Sequence, residues 1–241
     1  MSALLELDSV DKRFRGLLAV DGVSFSVPQG AIVGLIGPNG AGKTTIFNLI
    51  AGVFRPDRGR ILFEGRDIAG LRPHVLCRAG IARTFQIARP FGALSTLENA
   101  MVGAFRANAG TEAAEKHARA VLERLGLADK AHAPAHGLTL PERRRLEVAR
   151  ALATEPKLLL LDEAMAGLRP IEIDAMVGTL SALARESGLT ILLTEHVMRA
   201  VMALSHHIVV VHHGQKICEG TPEHVAADQR VIECYLGRSA A

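Results

Sequence analysis

Tryptophan is absent, tyrosine occurs once, and aromatic residues make up only 4% of the 241 positions. Stacking platforms for single-stranded nucleic acid are hard to build from so few rings. Charge adds little: 28 Lys+Arg stand against 25 Asp+Glu, a net +3 scattered along the chain. A nucleic-acid partner is therefore not expected. The three cysteines, Cys77, Cys218 and Cys234, lie far apart without CxxC spacing, which speaks for idle thiols in a reducing cytoplasm and against a disulfide framework. No apolar run reaches the ~18 residues of a membrane span. With Asp8 and Asp11 near the start and no apolar leader core, no secretory signal is expected either.

What is present is an ordinary globular balance, 49% hydrophobic and 22% charged. Residues 4–7 and 23–27 alternate as half-buried strands do, with Asp21-Gly22 expected as a turn between segments. Residues 31–36 are nearly all apolar, the mark of a strand covered on both faces. A glycine-rich run follows at once, and then Ile46, Asn48, Leu49 and Ile50 read as a helix ending at Gly52. From about residue 88 to 153 the pattern turns helical. Residues 111–125 place Ala114, Ala118, Val121, Leu122 and Leu125 on one face, and residues 142–153 carry Leu146, Ala149 and Leu152. Strands and helices then alternate again to residue 211. The order implies an α/β fold interrupted by a helical insertion.

Gly37-Pro38-Asn39-Gly40-Ala41-Gly42-Lys43-Thr44 matches the phosphate-binding loop GxxxxGK[ST]. Glycines let the backbone curl so that successive N–H groups point inward at phosphate oxygens. The following helix adds its positive end. Lys43 then reaches the β- and γ-phosphates and the Thr44 hydroxyl ligates Mg²⁺. A dinucleotide loop fails, because Thr45 stands where GxGxxG needs its last glycine. The apolar run 158–161 ends in Asp162-Glu163. A buried strand delivering Asp162 beside the phosphate loop can hold Mg²⁺ through water, and Glu163 can accept a proton from an attacking water. No asparagine is followed by lysine, so the guanine-reading Asn-Lys-x-Asp is missing.

The order of motifs resembles the ATP-binding subunit of an ABC transporter, from about residue 4 to 237. The resemblance implies a P-loop NTPase core over 1–87 and 154–241, with a mixed, mainly parallel sheet and an antiparallel β subdomain. It implies a helical subdomain over 88–153 that carries the signature motif. Arg83-Thr84-Phe85-Gln86 resembles the approach to the Q-loop, with Gln86 sensing Mg²⁺ and the γ-phosphate. Thr194-Glu195-His196 resembles the H-loop, with His196 at the γ-phosphate, and Ala166-Gly167-Leu168 resembles the D-loop. Phe14 stands where the family stacks an aromatic ring on adenine, and Thr45 closes the phosphate loop. ATP and Mg²⁺ are the implied ligands. The catalytic set so implied is Lys43, Gln86, Glu163 and His196, with Thr44, Gln86 and Asp162 for the metal.

The family's LSGGQ aligns with Leu138-Thr139-Leu140-Pro141-Glu142. Thr139 keeps the hydroxyl and Leu140 replaces a glycine. By resemblance both reach the nucleotide of a second copy in trans. Pro141 replaces another glycine and has no N–H; one lost hydrogen bond to a charged group weakens closure by roughly 10–100-fold per site. The implied partners are transmembrane permease subunits, a second ATP-binding subunit and, indirectly, a substrate-binding protein. The implied location is the inner face of the cell membrane. Residues 83–86, 97–99, 144–152 and 219–237 carry a likeness to importers of branched-chain or other hydrophobic amino acids. Two alternatives stand beside this: a non-transport ABC ATPase, and a weakly hydrolysing regulatory subunit. Three features are expected to mean little: Arg143-Arg144-Arg145 as a solvated helix face, the histidines around residues 208–211 as frayed strand ends rather than zinc ligands, and Gly220-Thr221-Pro222 as a turn.

Overall fold

The computed structural model describes residues 3–84 and 90–236. In chain order the elements are β1 (Ala3–Phe14), β2 (Leu17–Pro28), β3 (Ile32–Ile36), α1 (Lys43–Ile50), β4 (Arg58–Phe63), β5 (Arg66–Asp67), α2 (Pro73–Ala79) and β6 (Ile81–Arg83). The helices α3 (Thr96–Ala104), α4 (Thr111–Arg124) and α5 (Leu140–Leu152) follow, then β7 (Leu158–Asp162), α6 (Pro170–Ser187), β8 (Thr190–Thr194) and α7 (Met198–Leu204). The chain closes with β9 (His207–His212), β10 (Gln215–Gly220), α8 (Pro222–Ala227) and α9 (Gln229–Leu236).

One sheet is antiparallel, in the order β2-β1-β4-β5; the other runs β10-β9-β3-β8-β7-β6, with β9, β3, β8, β7 and β6 parallel. The alternation along the parallel strands explains why they read as continuous apolar runs. Ile32, Ile36, Leu159, Leu161, Ile191 and Leu193 point to one side, into a core shared with α3 to α7. Val33, Leu35, Leu158, Leu160 and Leu192 point to the other, against α1 and the antiparallel sheet. Both faces are covered, so the strand interiors are apolar and the buried polar residues of β7 and β8, Asp162, Thr190 and Thr194, come at strand ends. The buried side chains of α4 are Ala114, Ala118, Val121 and Leu122, the face its spacing predicts.

Two expectations are corrected here. Asp21 and Gly22 form no turn between strands; the β1–β2 hairpin turns at Arg15-Gly16. Asp21-Gly22 sits inside β2, where pairing shifts between Val10↔Val23 and Lys12↔Val20, and the Gly22 amide donates to Asp11 Oδ1 at 2.6 Å. A bulge uses the same residues a turn does, which is why the two look alike. Thr221-Pro222 is more than a turn: the Thr221 hydroxyl accepts from the His224 amide and opens α8.

Candidate functional site

Because β3, β8 and β7 are parallel neighbours, their C-terminal ends share one edge, ~4.8 Å apart strand to strand. That edge gathers the predicted residues. Beyond β3 the chain curls through residues 37–42 into α1. A Cβ on Gly37 would fall 2.0 Å from the Val211 carbonyl oxygen, and one on Gly42 would fall 2.6 Å from that of Ala19. Only glycine fits so close to the backbone. The first-turn amides of α1, from Lys43 onward, have no partner within the helix and face the turn.

Lys43 is only 7% exposed and its Nζ donates to the carbonyls of Gly37 at 2.6 Å and Pro38 at 3.0 Å. Burial lowers the pKa of this ammonium, while the charges of Glu163 and Asp162 pull it back up. A cavity of about 780 Å³ opens in front of it, lined by Phe14, Asn39, Gly40, Ala41, Gly42, Lys43, Thr44, Thr45, Glu163 and His196. Phe14 meets Phe54 edge to face at 5.0 Å and is 37% exposed, so its ring is an open wall rather than core. Gly37, Pro38 and Asp162, the last at the end of β7, are not among the residues that line it.

Asp162 is buried, with a partner on each carboxylate oxygen. Its Oδ2 accepts from Arg83 at 2.7 Å, its Oδ1 from the Thr194 hydroxyl at 2.9 Å, and its amide donates to the Thr84 hydroxyl at 3.1 Å. Arg83 also donates to Asn48 Oδ1 at 2.6 Å, tying β6 to α1. Glu163 turns the chain with a φ of 51°, the left-handed region that costs a non-glycine residue of order 1 kcal/mol or more. Its amide donates to the Thr194 carbonyl at 2.9 Å, and its Oε1 accepts from His196 Nε2 at 2.8 Å. Glu195 is buried, and its Oε1 accepts the Met165 amide at 2.7 Å. Burial pushes its carboxyl up to about 6, and the charge of Glu163 adds to that, against the pull of the Met165 and His196 amides.

Thr139 and Leu140 lie apart from this cavity. Thr139 caps α5, its amide and hydroxyl both donating to Glu142 Oε2 at 2.7 and 2.8 Å. Leu140 is 45% exposed. The helix thus begins at Leu140, earlier than the expected residue 142, because proline fits a first helical turn. Gln86 falls outside the described residues.

The arginine triplet is not a solvated face. Arg143 donates to the carbonyls of Leu138 and His136, Arg145 to that of Leu125, and Arg144 is buried against Glu147. The histidines do stand at the two ends of β9, as expected, but the ends are tied down: His206 Nδ1 accepts from the Ile32 amide at 3.0 Å, and the His212 and His213 rings meet at 4.0 Å, tilted by 41°. Cys218, His224 and Asp228 bring ligand-type atoms within 4.8 Å of one another. Arg230, however, donates to both Asp228 oxygens at 3.1 and 2.7 Å, so a guanidinium already supplies the positive charge there.

Sequence reasoning named Arg83 and Thr194 only as parts of motifs and missed their hold on Asp162, along with the burial of Glu195. It also missed Tyr235 on α9. That residue is 42% exposed, yet partial desolvation and the neighbouring Cys234 raise the pKa of the phenol, against the pull of the Gly37 amide.

The family model described as ABC transporter matches residues 20–166. The chain belongs to the ABC transporter ATP-binding family. A second ABC model, for branched-chain amino acid ATP-binding cassette transporters, matches residues 215–241. Among curated ABC relatives, the high-affinity branched-chain amino acid transport ATP-binding protein BraF of Pseudomonas aeruginosa is 39% identical, with 98% of each chain covered. LivG of Escherichia coli, of the same description, is 39% identical at the same coverage. The lipopolysaccharide export system ATP-binding protein LptB of Escherichia coli is 38% identical, again over 98% of each. Among solved ABC structures, the ADP conformation of MJ1267, an ATP-binding cassette of an ABC transporter, superposes with a TM-score of 0.89. It is 32% identical and covers 98% of this chain and 100% of its own. This chain is therefore a nucleotide-binding ABC ATPase subunit of a transporter, with a P-loop NTPase fold. A non-transport role is not favoured. Among the described residues no helix is long and apolar enough to cross a membrane.

Proposed function

We propose that the chain binds Mg²⁺-ATP in the 780 Å³ cavity and powers import of branched-chain or related hydrophobic amino acids. The observation that carries the site is the meeting of Lys43, Asp162, Glu163 and His196 at one edge of the parallel sheet. Phe14 would wall the base, the amides of residues 40–45 and Lys43 would hold the phosphates, and Gln86 and His196 would face the γ-phosphate. Glu163 would take the proton of the attacking water, its carboxylate already held by His196.

The residues present fit a magnesium ion. The cradle has no room for a Cβ at Gly37 or Gly42, and the donor set is hard oxygen: the Thr44 hydroxyl, Gln86, and Asp162, whose carboxylate has lone pairs left beyond its two partners. When bound, the ion neutralises phosphate charge.

Thr139 and Leu140, outside the cavity and exposed, suit contact with the nucleotide of a second copy. The helical segment 88–153 suits a permease. A groove of about 380 Å³ lined by Val53, Leu76 and Val102 over Glu147 and Arg150 lies where α2 meets it, with Arg83 of β6 in its wall. The amino-acid reading is supported by the match of residues 215–241 and by BraF and LivG; the similar identity of LptB shows how little of the solute a cassette records. Lys43→Ala should lower ATP affinity at least ~10–100-fold by losing the charged donor. Fluorescent-nucleotide titration checks this, and unchanged affinity overturns the site. Co-purification of the permease subunits identifies the solute.

A further inference from the structure

The turn after Glu163 has two jobs to connect. At one end stands Glu163, facing the cavity. At the other, Gly167 lies so close to α5 that a Cβ on it would sit 3.1 Å from Leu140 Cδ2. Between them Ala164 and Met165 are buried, 3% and 1% exposed. The turn holds itself together loosely, through Ala166 N to the Glu163 carbonyl at 3.3 Å and Leu168 N to the Met165 carbonyl at 3.2 Å. Its strong anchor comes from the neighbouring strand end: the Glu195 carboxylate, 4% exposed, takes the Met165 amide at 2.7 Å. Charge-assisted bonds of this kind are roughly twice as strong as neutral ones.

The same strand end holds the turn's first residues. Thr194 receives the Glu163 amide on its carbonyl and gives its hydroxyl to Asp162, and His196 holds the Glu163 side chain. Residues 194, 195 and 196 thus each grip a different part of 162–165. Burying a carboxylate is costly unless N–H donors offset it, and here the donors are the Met165 and His196 amides. An apolar side chain would avoid that cost but would leave the Met165 amide without an acceptor.

We propose that Glu195 is a positioning residue for ATP hydrolysis, fixing the 163–168 turn so that Glu163 and the Leu140 end of α5 keep one relative placement. This rests on the reading of Glu163 given above. Glu195 touches no nucleotide in this reading; it acts through Met165.

The test is steady-state ATP turnover by the full chain, with Glu195→Leu to remove the acceptor and Glu195→Gln to keep an oxygen in its place. Glu195→Leu should lose ~10–100-fold in kcat, the worth of one charged hydrogen bond. Its KM for ATP should stay within about threefold, since ground-state binding is untouched. Glu195→Gln should recover most of the loss. Full turnover in the leucine variant overturns the proposal, as does a glutamine variant as slow as leucine or a KM that rises in step with the fall in kcat. Should the leucine variant fail to fold, hydrogen exchange of the parent decides: a slowly exchanging Met165 amide supports the anchor, and exchange at the rate of an open loop defeats it. Glu163→Gln is measured alongside. Retained turnover there defeats the assignment of Glu163 itself; a dead Glu163→Gln with a normal Glu195→Leu defeats only the positioning role.

Discussion

At the phosphate loop the charged groups face one another inside the protein. Lys43, Asp162 and Glu195 are each less than a tenth exposed, and every one is tied to a neighbouring strand end or loop. At the N-terminus of α5 the arrangement is reversed. Thr139 spends its amide and hydroxyl on Glu142, and Leu140 turns an apolar side chain outward. The first region ties its charges together within one chain. The second has satisfied its own polar groups locally and turns one leucine outward.

Cutting the interior wiring should therefore cost far more than cutting the cap. The largest effect is expected from Arg83→Leu, which removes the ion-pair partner of the buried Asp162 and leaves it with the Thr194 bond and the charge of Lys43. Breaking one side of a buried pair costs ~3–5 kcal/mol, read as a lowered denaturant midpoint. A loss below ~1 kcal/mol would mean that the interior is less dependent on charge pairing than the geometry says.

Next in size is a pH effect at Glu195. Its folded pKa of about 6 lies above the ordinary 4.5, because burial disfavours the charged form and Glu163 adds to it. The folded chain therefore holds a proton that the unfolded chain has released. Stability contributed by this group is full below the lower value and is lost as pH climbs through the upper one, a fall of ~2 kcal/mol. Glu195→Gln should lack that fall, so unfolding curves of variant and parent at the two ends of this window should diverge. Parallel curves would contradict the burial.

The smallest effect belongs to the exposed region: Glu142→Ala removes the acceptor of the Thr139 cap and should cost only ~0.3–1.5 kcal/mol. A loss as large as that of Arg83→Leu would erase the contrast.

Local pattern made some of this legible and long-range pairing hid the rest. Residues 37–44 follow an apolar strand and open a helix, and Leu158 to Leu161 end on Asp162; both are contiguous, so the chain displays them directly. Arg83 meets Asp162 across 79 positions, and no periodicity marks such a pair. Glu195 stands in the sequence only as the middle residue of Thr194-Glu195-His196, and nothing local marks it as buried. Arg143, Arg144 and Arg145 read as solvent-facing because three charges in a row normally are, yet neighbouring carbonyls and Glu147 take them up. Asp21-Gly22 has turn chemistry and serves a bulge. The phosphate cradle is thus plain in the sequence, while the ties that orient its carboxylates are not.

The left-handed backbone at Glu163 sets thermal robustness against work. With φ at 51°, glycine or asparagine would sit there at lower conformational cost than glutamate. A search for hardier variants of this chain, run without asking for turnover, should drift towards those residues and, on the proposed reading of Glu163 as the base, select, step by step, a sturdier protein that no longer hydrolyses ATP.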